Sequence, residues 1–197
     1  MQEIGRRMNL FMTERLGVKP EEVSKVRDDF LTVYGTTLNA LRRYYTVDPD
    51  EFLDFVHDIR LEKHLQYEAE LDRMLGSIKL RKIIFTNADA KHARRVLARL
   101  GVLRHFEWII DIHMLDFINK PGRRAYLKAL DFISAQADEC VLIEDLPVNL
   151  APARELGMMT VLVGNGLKPH NAHYHIDRIT DFGELLRERI SREGAQT

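Results

Sequence analysis

Apolar residues in the first 60 positions recur at the three- and four-residue spacing of a helix, and nowhere do they alternate as in a half-buried strand. Ile4, Met8, Phe11, Met12 and Leu16 share one side of a stretch whose Arg6, Arg7, Glu14 and Arg15 fall elsewhere, which predicts an amphipathic helix stopping at Gly17. Pro20 opens a second helix, with Val23, Val26, Phe30 and Val33 on its apolar side, running to Tyr34-Gly35. A short third helix over 37–45 follows, and Asp48-Pro49-Asp50-Glu51 has the composition of a capped start for a fourth.

From about Leu65 the pattern changes. Short apolar runs at 82–85, 108–110, 141–143 and 160–163 alternate with helical stretches at 68–75, 89–100, 121–132 and 147–156. Buried strands separated by helices predict a parallel sheet covered on both faces. The expected fold is an α/β, Rossmann-like open-sheet core over 66–190, preceded by a helical cap over 1–65 and followed by a disordered tail over 191–197.

Composition narrows the function more than the fold. With 29 Lys+Arg against 30 Asp+Glu, the formal net charge is −1, which argues against electrostatic capture of nucleic acid or of an anionic membrane. No apolar run approaches the roughly 20 residues that span a bilayer, and charged residues interrupt the N-terminus where a secretory signal would be apolar. A single cysteine, Cys140, excludes an internal disulfide, so a cytoplasmic location is expected.

In open parallel sheets ligands collect beyond the carboxyl ends of the strands. Three such ends carry polar residues. The 82–85 run closes on Thr86-Asn87, a hydroxyl and an unpaired backbone amide at a strand-to-helix turn, where an anion can be bound, although taken alone the pair reads first as a helix cap. Lys120 stands before Pro121, which reads as the first residue of a helix. The 141–143 run closes on Glu144-Asp145, two adjacent carboxylates that repel unless a cation or a base lies between them, with Asn149 just beyond.

In this order, Thr86, Lys120 and Glu144-Asp145 resemble the second, third and fourth motifs of the haloacid dehalogenase-like (HAD) superfamily. The stretches 84–88, 120–121 and 143–158, with Tyr34-Gly35-Thr36-Thr37-Leu38 in the helical block, look most like its pyrimidine 5′-nucleotidase branch. The resemblance implies a phosphoryl-transfer site acting on a small phosphomonoester. Thr86 and the Asn87 amide would hold a phosphoryl oxygen, Lys120 would neutralise charge, and Glu144 and Asp145 would hold Mg²⁺. Tyr34, Thr36 and Thr37 would hold a pyrimidine nucleotide by stacking and hydrogen bonding.

The family's first motif is absent. It is an apolar strand ending in Asp-x-Asp, whose first aspartate attacks phosphorus, and the one Asp-x-Asp here, Asp48-Pro49-Asp50, follows no apolar strand. The expectation is that this strand lies upstream of Met1 and that the 197 residues are inactive as they stand. The alternatives are a non-catalytic phosphate- or nucleotide-binding protein, a truncated fragment, and a metal-free dehalogenase, the last disfavoured by the acidic pair. Three histidines, His170, His173 and His175, read as a polar loop rather than a zinc site, for want of a fourth ligand. Gly164-Asn165-Gly166 lacks the third glycine of a dinucleotide loop.

Overall fold

The computed structural model describes residues 2–166 and 172–194. Four helices come first: α1 (Gln2–Leu16), α2 (Val23–Tyr34), α3 (Thr37–Tyr44) and α4 (Pro49–His57). Their apolar sides meet in one cluster of Phe11, Met12, Val23, Leu38, Leu41, Phe52, Leu53 and Val56, with the Phe11 ring edge-on to Phe52 at 5.1 Å. Pro20 lies in a turn, and α2 starts only at Val23, three residues later than the proline suggests. Asp48 caps α4 by accepting from the Asp50 N–H at 2.8 Å, with Pro49 in the first turn where its missing N–H costs nothing.

Strands and helices then alternate: α5 (Ala69–Ser77), β1 (Ile83–Phe85), α6 (Ala90–Leu100), β2 (Trp108–Ile110), α7 (Arg123–Ile133), β3 (Val141–Glu144), α8 (Pro147–Glu155), β4 (Met159–Val163), β5 (Tyr174–Ile176) and α9 (Phe182–Gly194). All pairings are parallel, as the helix-separated apolar runs require, and the fold is α/β. Two local readings are corrected. Pro121 precedes α7 in a turn capped by Gly122 rather than opening the helix, and the Lys120-Pro121 bond is cis. His175 belongs to a strand, β5, because Tyr174 and Ile176 pair with Val161 and Val163 of β4. His170 lies outside the described residues. The helix α9 extends into the stretch expected to be a tail, of which 195–197 are likewise outside the described residues.

The sheet is not continuous. β1 pairs with β2, and β4 pairs with β3 on one side and β5 on the other, giving a two-stranded and a three-stranded sheet. Ile83 and Phe85 of β1, Ile110 of β2 and Leu142 of β3 join Tyr126, Ala129 and Ala153 of α7 and α8 in a single cluster, so one face is shared. The opposite face is divided. Ile84 and Ile109 pack with Ala93 and Leu97 of α6, whereas Val141, Ile143 and Val161 pack separately with Phe182 of α9. Strand residues alternate between faces. The arrangement is therefore that of one layer interrupted between β1 and β3, whose second edges have no strand partner among the described residues.

Candidate active site

Lys120 spans the interruption. Its Nζ donates to the Phe85 carbonyl at 2.9 Å, at the end of β1, and to Glu144 Oε2 at 2.6 Å, at the end of β3. The side chains of this pair are 10% and 8% exposed, and the ammonium also stands 4.9 Å from the centre of the Phe85 ring. An ammonium has three donors. Two are committed here, which leaves one that no acceptor among the described residues takes.

The lysine is held from its backbone. The Asn87 side chain accepts from Lys120 N–H at 2.8 Å and donates to Lys120 C=O at 3.0 Å, while the Asn119 amide donates to the same carbonyl at 2.7 Å. The Asn87 side chain is thus spent on positioning Lys120, whereas the contact with a phosphoryl oxygen is expected from its backbone amide. Thr86 ends β1, its N–H donating to the Ile110 carbonyl at 3.0 Å. Its hydroxyl oxygen accepts from Ala88 N–H at 3.0 Å, so the hydroxyl proton can still be donated outward.

Glu144 closes β3 and turns its second oxygen to the N–H groups of Asp145 and Leu146, at 3.2 and 3.3 Å. Burial opposes its ionisation, yet the Lys120 charge and these hydrogen bonds hold its carboxyl below the ordinary value. Asp145 behaves oppositely. A hydrogen bond with Glu144, then burial and the charge of Glu144, push its carboxyl up. Beneath the pair, Tyr126 is fully buried and donates to the Asn149 carbonyl at 2.6 Å, tying α7 to α8.

The helical layer reaches this site at one corner. Gly35 (φ +72) ends α2, and a side chain there would collide with Asn119, itself bonded to Asn39 of α3. The residues beside it take different places. Thr36 caps α3, accepting from Asn39 N–H at 3.2 Å, and Thr37 is 1% exposed with no hydrogen-bond partner for its hydroxyl among the described residues. The Tyr34 ring turns outward to Phe30 and Tyr44, in an open cavity of about 520 Å³ that Asp29, Val33 and Tyr45 also line.

Thr86, Lys120 and Glu144 are therefore brought together, with Asp145 adjacent and exposed. Sequence reasoning missed Asp111, which is 6% exposed and accepts from Ala90 N–H at 2.9 Å and Met114 N–H at 3.0 Å. The signal was present, because Asp111 closes the apolar run of β2 just as Thr86 closes that of β1.

A family model described as haloacid dehalogenase-like hydrolase matches residues 47–157. The chain belongs to this family. The bifunctional epoxide hydrolase 2 of Rattus norvegicus is 35% identical over 77 residues, 38% of this chain but only 14% of the relative, and that of Mus musculus is 39% identical over 62 residues. The chain thus aligns with a small part of these longer relatives. Among solved structures, a HAD phosphatase from Thermococcus onnurineus is similar with TM-score 0.65 and 18% identity, covering 94% of this chain and 89% of that one. The L-2-haloacid dehalogenase from Xanthobacter autotrophicus, with chloropropionic acid covalently bound, has TM-score 0.58 at 13% identity over 94% of this chain and 84% of its own. At such identities the likeness is one of fold. No helix among the described residues is long and apolar enough to cross a membrane.

Proposed function

We propose that these residues form the phosphoryl-binding part of a phosphohydrolase acting on small phosphomonoesters, with residues 1–65 as its cap and 66–190 as its core. The observation that carries this reading is the buried Lys120 ammonium at the ends of β1 and β3, with one donor left and the Thr86 hydroxyl on the neighbouring strand end. Transfer of a phosphoryl group asks mainly for positioning and neutralisation of charge. Thr86 and Lys120 supply both. What they do not supply is an attacking group: no carboxylate in the 197 residues follows an apolar strand in the manner of Asp-x-Asp. The interruption between β1 and β3 is where a further parallel strand would pair on both sides, and its carboxyl end would lie beside Lys120. Until such a strand is supplied, the site binds rather than hydrolyses.

Magnesium is the cation the family implies, and the residues fit it only in part. Glu144 is engaged by Lys120 and two backbone N–H groups, which leaves Asp145 as the carboxylate able to hold a cation, and the described residues contain no group of three or more such ligands. Mg²⁺ is therefore expected to bind weakly, on the order of millimolar. Titration calorimetry should show this heat in the chain and none in Asp145→Asn. Equal heats in both would remove the acidic pair from metal binding.

Within this reading, pyrimidine nucleoside 5′-monophosphates are the proposed substrates, supported by the exposed aromatic cavity of Phe30, Tyr34 and Tyr44 next to the Gly35 corner. Base stacking on an aromatic side chain contributes about 1–3 kcal/mol. In a chain given a catalytic strand, Tyr34→Ala should lower kcat/KM for uridine monophosphate about tenfold and leave that for a sugar phosphate unchanged. Equal losses on both substrates, or no preference for nucleotides, would remove the nucleotide assignment.

A further inference from the structure

The helical layer also touches the α/β layer at the far end of α4, through a cluster that plays no part in phosphoryl binding. His57, the last residue of α4, donates from Nδ1 to Asp89 Oδ2 at 2.5 Å, and its ring lies flat on His92 of α6, centroids 4.0 Å apart and planes inclined by 12°. All three residues are buried, at 7%, 9% and 8% exposure for His57, Asp89 and His92. Asp89 is also the cap of α6, its second oxygen accepting from His92 N–H at 2.7 Å. Arg95 of α6 donates to the carbonyls of His57 and Ile59 at 2.9 and 2.8 Å. The end of α4 is thus fastened to α6 almost entirely by polar contacts.

One group in the cluster is unsatisfied. His92 Nδ1 is buried and has no hydrogen-bond partner among the described residues, so a neutral ring can rest there with a lone pair or an N–H unpaired, but a charged ring cannot be solvated. The charges around the stack do not compensate. Asp89 is already occupied by His57 and by the α6 backbone, and Arg95 repels a second cation. Lys91 pairs with Asp54 of α4 at 2.5 Å on the exposed side, and Asp58, beyond α4, is held by Arg7 at 3.5 Å. Glu62, Lys63 and His64, in and after the turn packed on α6, are exposed, and Arg104 and His105 at the other end of the helix are committed to Asp72.

We propose that the His57–His92 stack is a pH-operated joint between the helical and α/β layers, in which a proton taken from solvent by His92 separates the rings and releases the end of α4 from α6. The layers are also joined away from this end, by the Ile112 and Phe117 side chains seated in the helical cluster and by the Asn39 amide on the Phe117 carbonyl and Asn119, and these keep their hold, so the layer pivots there instead of dissociating. The sign follows from burial. Desolvation first, and then the neighbouring His57, depress the folded-state value of His92 to about 4. A released ring returns to about 6.5. The open form consequently binds more protons between these values, and closure weakens as pH falls from about 6.5 to about 4. Asp89 is held far below the usual carboxylate range: although burial opposes its charge, the His57 hydrogen bond favours it, and its contribution is lost only at lower pH.

Amide hydrogen exchange on the full chain tests this, with rates corrected for their intrinsic pH dependence. Between pH 7 and 4.5 the last turn of α4 and the first turn of α6 should lose protection on the order of 50-fold, while β3 and β4 keep theirs. His92→Phe preserves a flat ring that takes no proton, and its protection at these turns should not change over the same interval. Unchanged protection in the wild-type chain, or the same loss in His92→Phe, overturns the proposal. Should His92→Phe fail to fold, the wild-type His92 ring followed by NMR decides: a midpoint near 4 is expected, and a midpoint near 6.5 with the stack intact overturns it.

Discussion

Joining an apolar strand that ends in Asp-x-Asp-x-Thr to the N-terminus is expected to raise turnover of a chromogenic phosphomonoester from background by at least about 10³-fold, since removing a covalent nucleophile alone costs enzymes more than this. The chain without it should show no turnover above background. The reason is chemical: Thr86 and Lys120 can stabilise a charged transition state, but neither attacks phosphorus, and Lys120 is bound to Glu144. Changing the first aspartate of the added strand to asparagine should return the rate to background. Robust turnover by the 197 residues alone, lost on Asp145→Asn, would mean that an attacking group is present and was overlooked.

Lys120→Met should destabilise the fold by about 3 kcal/mol, because breaking a buried ion pair from one side leaves its partner charged and unpaired. For a chain of this length that corresponds to a fall in Tm of about 6–12 °C. Glu144 is the group left behind, 8% exposed at its side chain. In the intact protein its carboxyl is held below the ordinary value, so the pair's contribution is in place above the ordinary carboxylate range and fades as pH falls through the lowered value. The variant's deficit should accordingly be largest at neutral pH and shrink in acid, where Glu144 can protonate. The double variant Lys120→Met with Glu144→Gln should recover part of the loss. Denaturant titration at pH 7 and pH 4 measures both, and a deficit that does not depend on pH would show that Lys120 stabilises by packing alone.

The elements of the α/β half were legible because each is governed by a local rule: apolar runs of three to five residues made strands, and helices filled the gaps. Thr86, Lys120 and Glu144 were legible for the same reason, each closing an apolar run or preceding a helix. What could not be read was partnership. Nothing local to Asn87 says that its side-chain amide closes on the backbone of Lys120, 33 positions on. That the Tyr34 ring is oriented by Phe30 and Tyr44, on two helices, was equally out of reach. The strand at Tyr174–Ile176 hid because its run carries His175, whose Nε2 is satisfied by the Gly164 carbonyl at 2.6 Å only once β4 lies alongside. His57 and His92 showed no pattern at all, being 35 residues apart on different helices.

The divided sheet bears on how the protein behaves in crowded solution. Unpaired strand edges template association with other chains, and parallel pairs are slow to form and exposed while they do so. Here the second edges of β1 and β3 are short, three and four residues, and partly buried by the helices above them. At their carboxyl ends the Lys120 ammonium already occupies the Phe85 carbonyl, so an incoming foreign strand must displace a buried charge before it can dock. Any strand entering there, the added catalytic strand included, therefore meets the Lys120 ammonium first.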